Sequence, residues 1–462
     1  MKLPQHIHCI GIGGIGVSGI AKLLNALGVR VSGSDATISP ITDELVSLGI
    51  KVGIGHDATH LPKEAEMVIF SEAVPSENVE RMEASQRGIP VLSAAEFLGA
   101  YTADKRTIAI SGTNGKSTTT AMLGSILVAA GMDPTVILGS SLSTFPLGNV
   151  RVGKSDIVVL EADEYRAKYL NYHPEMIVLT NIEEDHLDFF ADLADIVETF
   201  DQYLGNLRPG GTVILNADDM VSAHELHAEG TVSTYGIVQE ADYQAKQVVA
   251  SAGAQQFELH TKEALLAACT LRVPGRFNIA NALAAATAAH KLGVSPTVIS
   301  DALASFPGIW RRFEIVGEHN GATIVSDYGH HPTAIRVTVS AAREFFPHRR
   351  IVLVFQPHQH NRTAKLFDDF VAALHSPDIA LVSDIYHVTG REETKEVTAK
   401  GLAEAAGRPE AVFYSGTLEE TQKMAEKIML PGDVVIVMGA GTIDEVARGL
   451  VVASRGVGRV GE

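Results

Sequence analysis

The stretch IAISGTNGKSTTTAM, Ile108 to Met122, decides how the chain is divided. An apolar run empties into Gly112-Thr113-Asn114-Gly115-Lys116-Ser117, and the residues beyond it favour a helix, so the order is strand, tight loop, helix. Backbone N–H groups at a helix start, with a lysine beside them, suit the β- and γ-phosphates of ATP. In such a loop the Ser117 hydroxyl can ligate Mg²⁺. The common phosphate loop carries a glycine five residues before the one at 115, where this chain has Ile110. Spacing alone therefore leaves two readings, a compressed phosphate loop or an ordinary strand-to-helix turn capped by serine and threonine.

Acids downstream favour the first reading. DIVVLEADEY (156–165) and MIVLTNIEEDH (176–186) are apolar strands whose ends carry Glu161, Asp163 and then Glu184, Asp185 and His186. Hard oxygen ligands with one imidazole hold magnesium against ATP phosphates. The plainer alternative makes these acids helix caps or solvated loop residues.

A second glycine turn opens the chain. In HIHCIGIGGIGVSGIAKLLNALG (6–28) a strand leads into Gly11, Gly13 and Gly16, then a helix, and VRVSGSD places Asp35 at the end of the next strand. That satisfies the dinucleotide fingerprint, but any diphosphate at a helix N-terminus meets the same physical requirement, so NAD and a UDP-sugar both remain. Towards the C-terminus, after a Pro-Gly break in FPGIWRRFE (306–314), four strands recur in ATIVSDYGHHP, RIVLVFQPH, IALVSDIY and DVVIVMGAG. The segment from 210 to 270 reads as irregular.

At 462 residues the chain exceeds one ordinary core, and 46% hydrophobic with 20% charged residues are globular values. A formal charge of -18 disfavours non-specific nucleic acid or anionic membrane partners. Cys9 and Cys269 stand far apart in apolar segments, which fits a reducing compartment. With neither a secretory h-region nor some 18 uninterrupted apolar residues, a cytoplasmic protein is expected.

HCIGIGGIGVSGIA, GTNGKSTTT, EADEY, TNIEEDHLD, RRFE, DYGHHP and FQPHQHNRT, in that order and over nearly the whole chain, resemble the Mur ligase family of peptidoglycan synthesis. The resemblance implies an α/β fold of three domains. They are a Rossmann-like N-terminal domain for the UDP-sugar (1–104), a central P-loop ATPase domain with a parallel sheet (105–310), and a C-terminal Rossmann-like domain for the amino acid (311–462). It implies that ATP phosphorylates the carboxylate of UDP-N-acetylmuramate and that L-alanine attacks the acyl phosphate. The sibling alternative joins the L-Ala-γ-D-Glu-diaminopimelate tripeptide to the same nucleotide sugar.

Carried over residue by residue, the resemblance puts ATP on Gly112, Thr113, Asn114, Gly115, Lys116, Ser117 and Thr118. Asn278 and Asn281 join on the adenine side, with Arg312, Asp327 and His330 from the third domain. Ser117, Glu161 and His186 hold magnesium. Lys116, Glu161, His186, His331 and Arg362 form the catalytic set, Arg362 matching the amino acid's carboxylate. Gly13, Gly14, Ile15 and Gly16 cradle the diphosphate, and Asp35, His56 and Ser71 contact the uridine and sugar. A monomer or homodimer is expected. The chain departs from the family in Phe277, in Ser326, in Tyr165-Arg166, and in having no lysine between His186 and Arg208, which predicts no carbamylated lysine.

Overall fold

A computed structural model describes residues 2–186, 189–228, 230–251, 253–387 and 397–457. In the first sheet β1 (His6–Ile10), β2 (Arg30–Asp35), β3 (Lys51–Ile54), β4 (Met67–Phe70) and β5 (Val91–Ser93) lie in the order β3-β2-β1-β4-β5, all parallel. Ile7 and Cys9 of β1 and Val31 of β2 pack with Val17, Ile20, Leu23 and Leu24 of the helix Ile15–Ala26. That helix carries its apolar residues at helical spacing, and the chain turns out of it at Gly28, φ +81°.

The second sheet has ten strands: β6 (Arg106–Ser111), β7 (Thr135–Ile137), β8 (Val150–Arg151), β9 (Ile157–Glu161), β10 (Met176–Leu179), β11 (Thr212–Asn216), β12 (Thr231–Gly236), β13 (Tyr243–Ser251), β14 (Ala254–Thr261) and β15 (Leu265–Leu271). Their order is β15-β14-β13-β12-β11-β10-β6-β9-β7-β8. β6 runs parallel between β9 and β10, so the ends of all three strands open on one side, where open α/β sheets bind ligands. The region expected to be irregular, 210 to 270, instead extends this sheet. β11 is buried, but β13 and β14 interleave polar residues and β15, though apolar in sequence, is half-exposed, so most of this region lacks the buried apolar runs that betray parallel strands.

The third sheet is formed by β16 (Glu314–His319), β17 (Ala322–Asp327), β18 (Ile351–Phe355), β19 (Ile379–Ser383), β20 (Val412–Gly416) and β21 (Val434–Met438), in the order β16-β17-β21-β18-β19-β20. Only β16 pairs antiparallel, with β17. Residues of β21 alternate between two cores. Val434, Ile436 and Met438 join Ile335 and Val339 on one face, and Val435 and Val437 join Val446 and Leu450 on the other. Burying each such side chain contributes about 1.5–3 kcal/mol.

The chain divides into two compact units, 1–247 with 257–269 and 279–306, and 248–256 with 270–278 and 307–462. The first and second sheets therefore share one unit. A buried clasp joins them: Lys22 Nζ donates to Asn149 Oδ1 at 3.0 Å and Leu147 O at 3.1 Å, while Asn149 Nδ2 donates to Ile15 O at 2.8 Å. The N-terminal glycine turn is thus tied to the sheet that carries the second loop.

Candidate active site

The loop after β6 is built around two glycines with left-handed backbone, Gly112 at φ +120° and Gly115 at φ +84°. A Cβ on Gly112 would collide with Thr180 Oγ1, and one on Gly115 with Asn281 Oδ1. No other residue type fits this tight cradle. The loop is pinned from the neighbouring strand. Thr113 N donates to Asn181 O and Asn114 N to Asn181 Oδ1, both at 2.8 Å, and Glu183 N donates to Thr113 Oγ1 at 2.9 Å. Helix Lys116–Ala129 starts immediately, and Thr119 of its first turns donates to Asn281 Oδ1 at 3.3 Å. Asn278 bonds the carbonyl of Pro274 at 2.7 Å, locally in its own helix start.

Lys116 folds over the loop, donating to Gly112 O at 2.6 Å and Thr113 O at 3.1 Å, and pairs with Glu164 at 2.8 Å. Burial alone would depress this ammonium, but the carboxylates of Glu164, Asp163 and Glu161 outweigh it and hold its pKa above the ordinary lysine value. Burial pushes Glu164 up to about 7, with Lys116 pulling down and Asp163 adding repulsion. Ser117 Oγ donates to Glu161 Oε1 at 3.0 Å, and Glu161 Oε2 accepts from Gly139 N at 2.8 Å.

A second group of donors lies alongside. Ligand atoms of Asp163, Glu164 and His186 all fall within 4.8 Å of one another. Asp163 also pairs with Lys168 at 2.7 Å, and the His186 ring packs on Tyr165 with centroids 4.6 Å apart. His186 has φ +53°, and Arg166 and Ala167 are likewise left-handed. Such strain costs about 1–3 kcal/mol per residue and collects at functional sites. The residues carry what a magnesium–triphosphate site requires: hard oxygens, one imidazole, a lysine and a cradle closed to any side chain. Of this trio only His186 was in the expected metal set of Ser117, Glu161 and His186; Asp163 and Glu164 were not. The signal was the pair of acids two and three residues after Glu161 in EADEY, which the chain alone cannot distinguish from solvated loop residues.

In the first sheet Gly13 N donates to Asp35 Oδ2 at 2.8 Å, so the carboxylate expected at the ribose braces the glycine turn itself. Gly14 caps the helix beginning at Ile15, whose first turn includes Gly16, without a side-chain bond. Ser71, just beyond β4, lies against Gly11. His56 Nδ1 is bound to Glu80 Oε1 at 2.9 Å.

The second unit gathers another group at the ends of β17, β18 and β19. Asp327 accepts from Phe313 N at 2.8 Å and Gly329 N at 2.7 Å, and burial raises its pKa against Arg312 and Arg311. The Arg312 guanidinium stands 4.9 Å from the Tyr328 ring centre. His330 packs on Tyr328 and on His358, whose ring stacks on Tyr386. His331 caps helix Pro332–Phe345, and Arg362 Nη1 lies 3.5 Å from His358 Nδ1. Of the departures, Ser326 Oγ donates to Asp444 Oδ1, and Phe277 is exposed beside Gly275.

Three domain descriptions match in series: the Mur ligase family catalytic domain over residues 6–106, the Mur ligase middle domain over 110–289 and the Mur ligase glutamate ligase domain over 311–441. The chain belongs to the Mur ligase family. Among similar Mur ligases, the UDP-N-acetylmuramate–L-alanine ligase of Clostridium novyi is 39% identical over 448 residues, covering 96% of each chain. That of Syntrophobacter fumaroxidans is 37% identical over 474 residues, covering 100% of this chain and 99% of the relative. The crystal structure of the UDP-N-acetylmuramate–alanine ligase of Thermotoga maritima superposes with TM-score 0.86 at 28% identity, covering 98% of this chain and 99% of that one. A murein peptide ligase of Psychrobacter arcticus gives 0.71 at 26% identity, covering 99% and 100%. Three α/β domains with a central parallel sheet are thus the family architecture. Among the described residues no helix is long and apolar enough to cross a membrane.

Proposed function

We infer that this Mur ligase is an ATP-dependent enzyme that joins L-alanine to the lactyl carboxylate of UDP-N-acetylmuramate, in peptidoglycan precursor synthesis and in the cytoplasm. The observation that carries the reading is the Lys116 loop set between Ser117–Glu161 and Asp163–Glu164–His186, in a chain whose full-length relatives bear that name.

The chemistry follows from charge. A carboxylate and a triphosphate repel one another, so attack on the γ-phosphorus needs cations placed before the two meet. Lys116 supplies one fixed positive charge at the loop. Magnesium, when bound, would supply the remaining positive charge against the phosphate oxygens. Ser117 and Glu161 would hold one ion, and His186 with Glu164 and Asp163 would hold a second. The carboxylate oxygen bonds to phosphorus as ADP leaves. The amine of alanine then attacks the acyl carbon, loses a proton, and expels phosphate to leave the amide.

We assign Gly112, Thr113, Asn114, Gly115 and Thr118 to the phosphates, and Asn278, Asn281, Arg312, Asp327 and His330 to the rest of the nucleotide. Arg362 and His331 serve the amino acid. Gly13, Gly14, Ile15, Gly16, Asp35, His56 and Ser71 serve the UDP-sugar. The higher structural likeness to the alanine ligase, TM-score 0.86 against 0.71, favours alanine over the tripeptide.

Phosphate release from ATP tests this directly. It should require UDP-N-acetylmuramate together with L-alanine, and be near background with the tripeptide. Release that follows the tripeptide instead, or that needs neither partner, contradicts the assignment.

A further inference from the structure

Strands β1 and β2 are parallel, buried, and should be apolar on both faces. One face is instead a polar lane. His6 Nε2 lies 3.0 Å from Ser32 Oγ, and His8 Nδ1 2.9 Å from the same oxygen. His8 Nε2 meets Glu80 Oε2 at 2.8 Å. Glu80, from the first turn of helix Val79–Gln86, is fully buried, and its other oxygen accepts from Ser34 Oγ at 2.8 Å and binds His56 Nδ1 at 2.9 Å. His56 ends the lane, its side chain 27% exposed.

Burying a carboxylate costs several kcal/mol unless donors surround it. Here burial pushes the Glu80 pKa up, yet His8, His56 and Ser34 together hold it below the ordinary glutamate value, so it is ionised. An ionised carboxylate only accepts. His8 therefore carries its hydrogen on Nε2 and His56 on Nδ1, and Ser32 is free to donate to His8 Nδ1 and accept from His6. Every hydrogen bond drawn in the lane can then be made at once, while His6 Nδ1 stays buried without a partner. With its hydrogen on Nδ1, the neutral His56 ring presents Nε2 as a lone pair.

We propose that Glu80 is a positioning residue for the first sheet's ligand site: it fixes His56 as a hydrogen-bond acceptor that reads a donor on the nucleoside half of the UDP-sugar, either the uracil imide N–H or a ribose hydroxyl. The proposal rests on the assignment of His56 to that ligand. It makes the lane a selectivity device. An acceptor attracts uracil, whose N3 carries hydrogen, and repels cytosine, whose N3 is a lone pair.

The test is isothermal titration of the full chain with UDP, CDP and 2′-deoxy-UDP. Wild type should prefer UDP about tenfold over CDP if the imide is read, or over 2′-deoxy-UDP if the hydroxyl is read. In Glu80→Gln the carboxamide can offer N–H to His56 and reverse its tautomer. UDP should then bind about tenfold more weakly and the preference should collapse, while KM for UDP-N-acetylmuramate rises and kcat stays within about twofold. His56→Phe, at an exposed site, should lose the same preference and decides the matter if Glu80→Gln does not fold. Variants that keep wild-type UDP affinity and preference, or a Glu80→Gln in which kcat falls as far as affinity, overturn the proposal alone. A wild-type chain that binds no UDP overturns the site assignment beneath it.

Discussion

Lys116 and Glu164 form a nearly buried pair, 12% and 4% exposed, in a pocket that also holds Asp163 and Glu161. Removing one partner strands the other charge, which costs about 3–5 kcal/mol. Lys116→Ala should therefore abolish turnover, with kcat down at least ~1000-fold, and also lower stability by about 3 kcal/mol. Adding Glu164→Gln should restore most of the stability and none of the activity, as denaturant titration and single-turnover assays will read. UDP binding should survive in both variants, because the first glycine turn makes no use of Lys116. At Gly115 the constraint is steric. With φ +84° and the Asn281 side chain where a Cβ would go, Gly115→Ala should raise KM for ATP about tenfold and leave UDP affinity unchanged.

Among the elements, the polar lane beside helix Val79–Gln86 makes a pH prediction with a definite sign. The Glu80 pKa is lower in the folded chain than its ordinary 4.5. Its contribution to stability is therefore complete above 4.5 and lost as pH falls through the folded value. Thermal unfolding of wild type should steepen below about pH 4.5, and Glu80→Gln should flatten that limb; parallel curves would contradict the network. This lane was hidden in HIHCI and RVSGSD, which look like ordinary alternating strands until the partner sheet positions are known. The strand, loop and helix around Gly112–Ser117 were legible because a strand, two glycines, a lysine and a serine stand adjacent in sequence. Asp35 illustrates the reverse. Its place at a strand end suggested a ribose contact, and the bond its carboxylate accepts from Gly13 N could not be read from spacing.

Across the whole molecule, the apolar runs revealed the α/β character and the strands of the cores, while the half-exposed strands β12 to β15 escaped notice because their neighbours, not their own residues, make them strands. The Lys22–Asn149 clasp escaped for the same reason, since its residues are 127 positions apart. Both glycine turns consequently belong to one unit, which suits a ligase that must present a sugar carboxylate to a triphosphate. Lys22→Met should loosen that unit, costing about 1–3 kcal/mol through the Asn149 Oδ1 left without its donor and seen in the unfolding midpoint. The central claim is that the sugar carboxylate itself captures the γ-phosphoryl group at the Lys116 loop. With UDP-N-acetylmuramate carrying ¹⁸O in its lactyl carboxylate, one labelled oxygen per turnover should appear in the released inorganic phosphate, by mass spectrometry; label found in AMP, or phosphate without label, would contradict it.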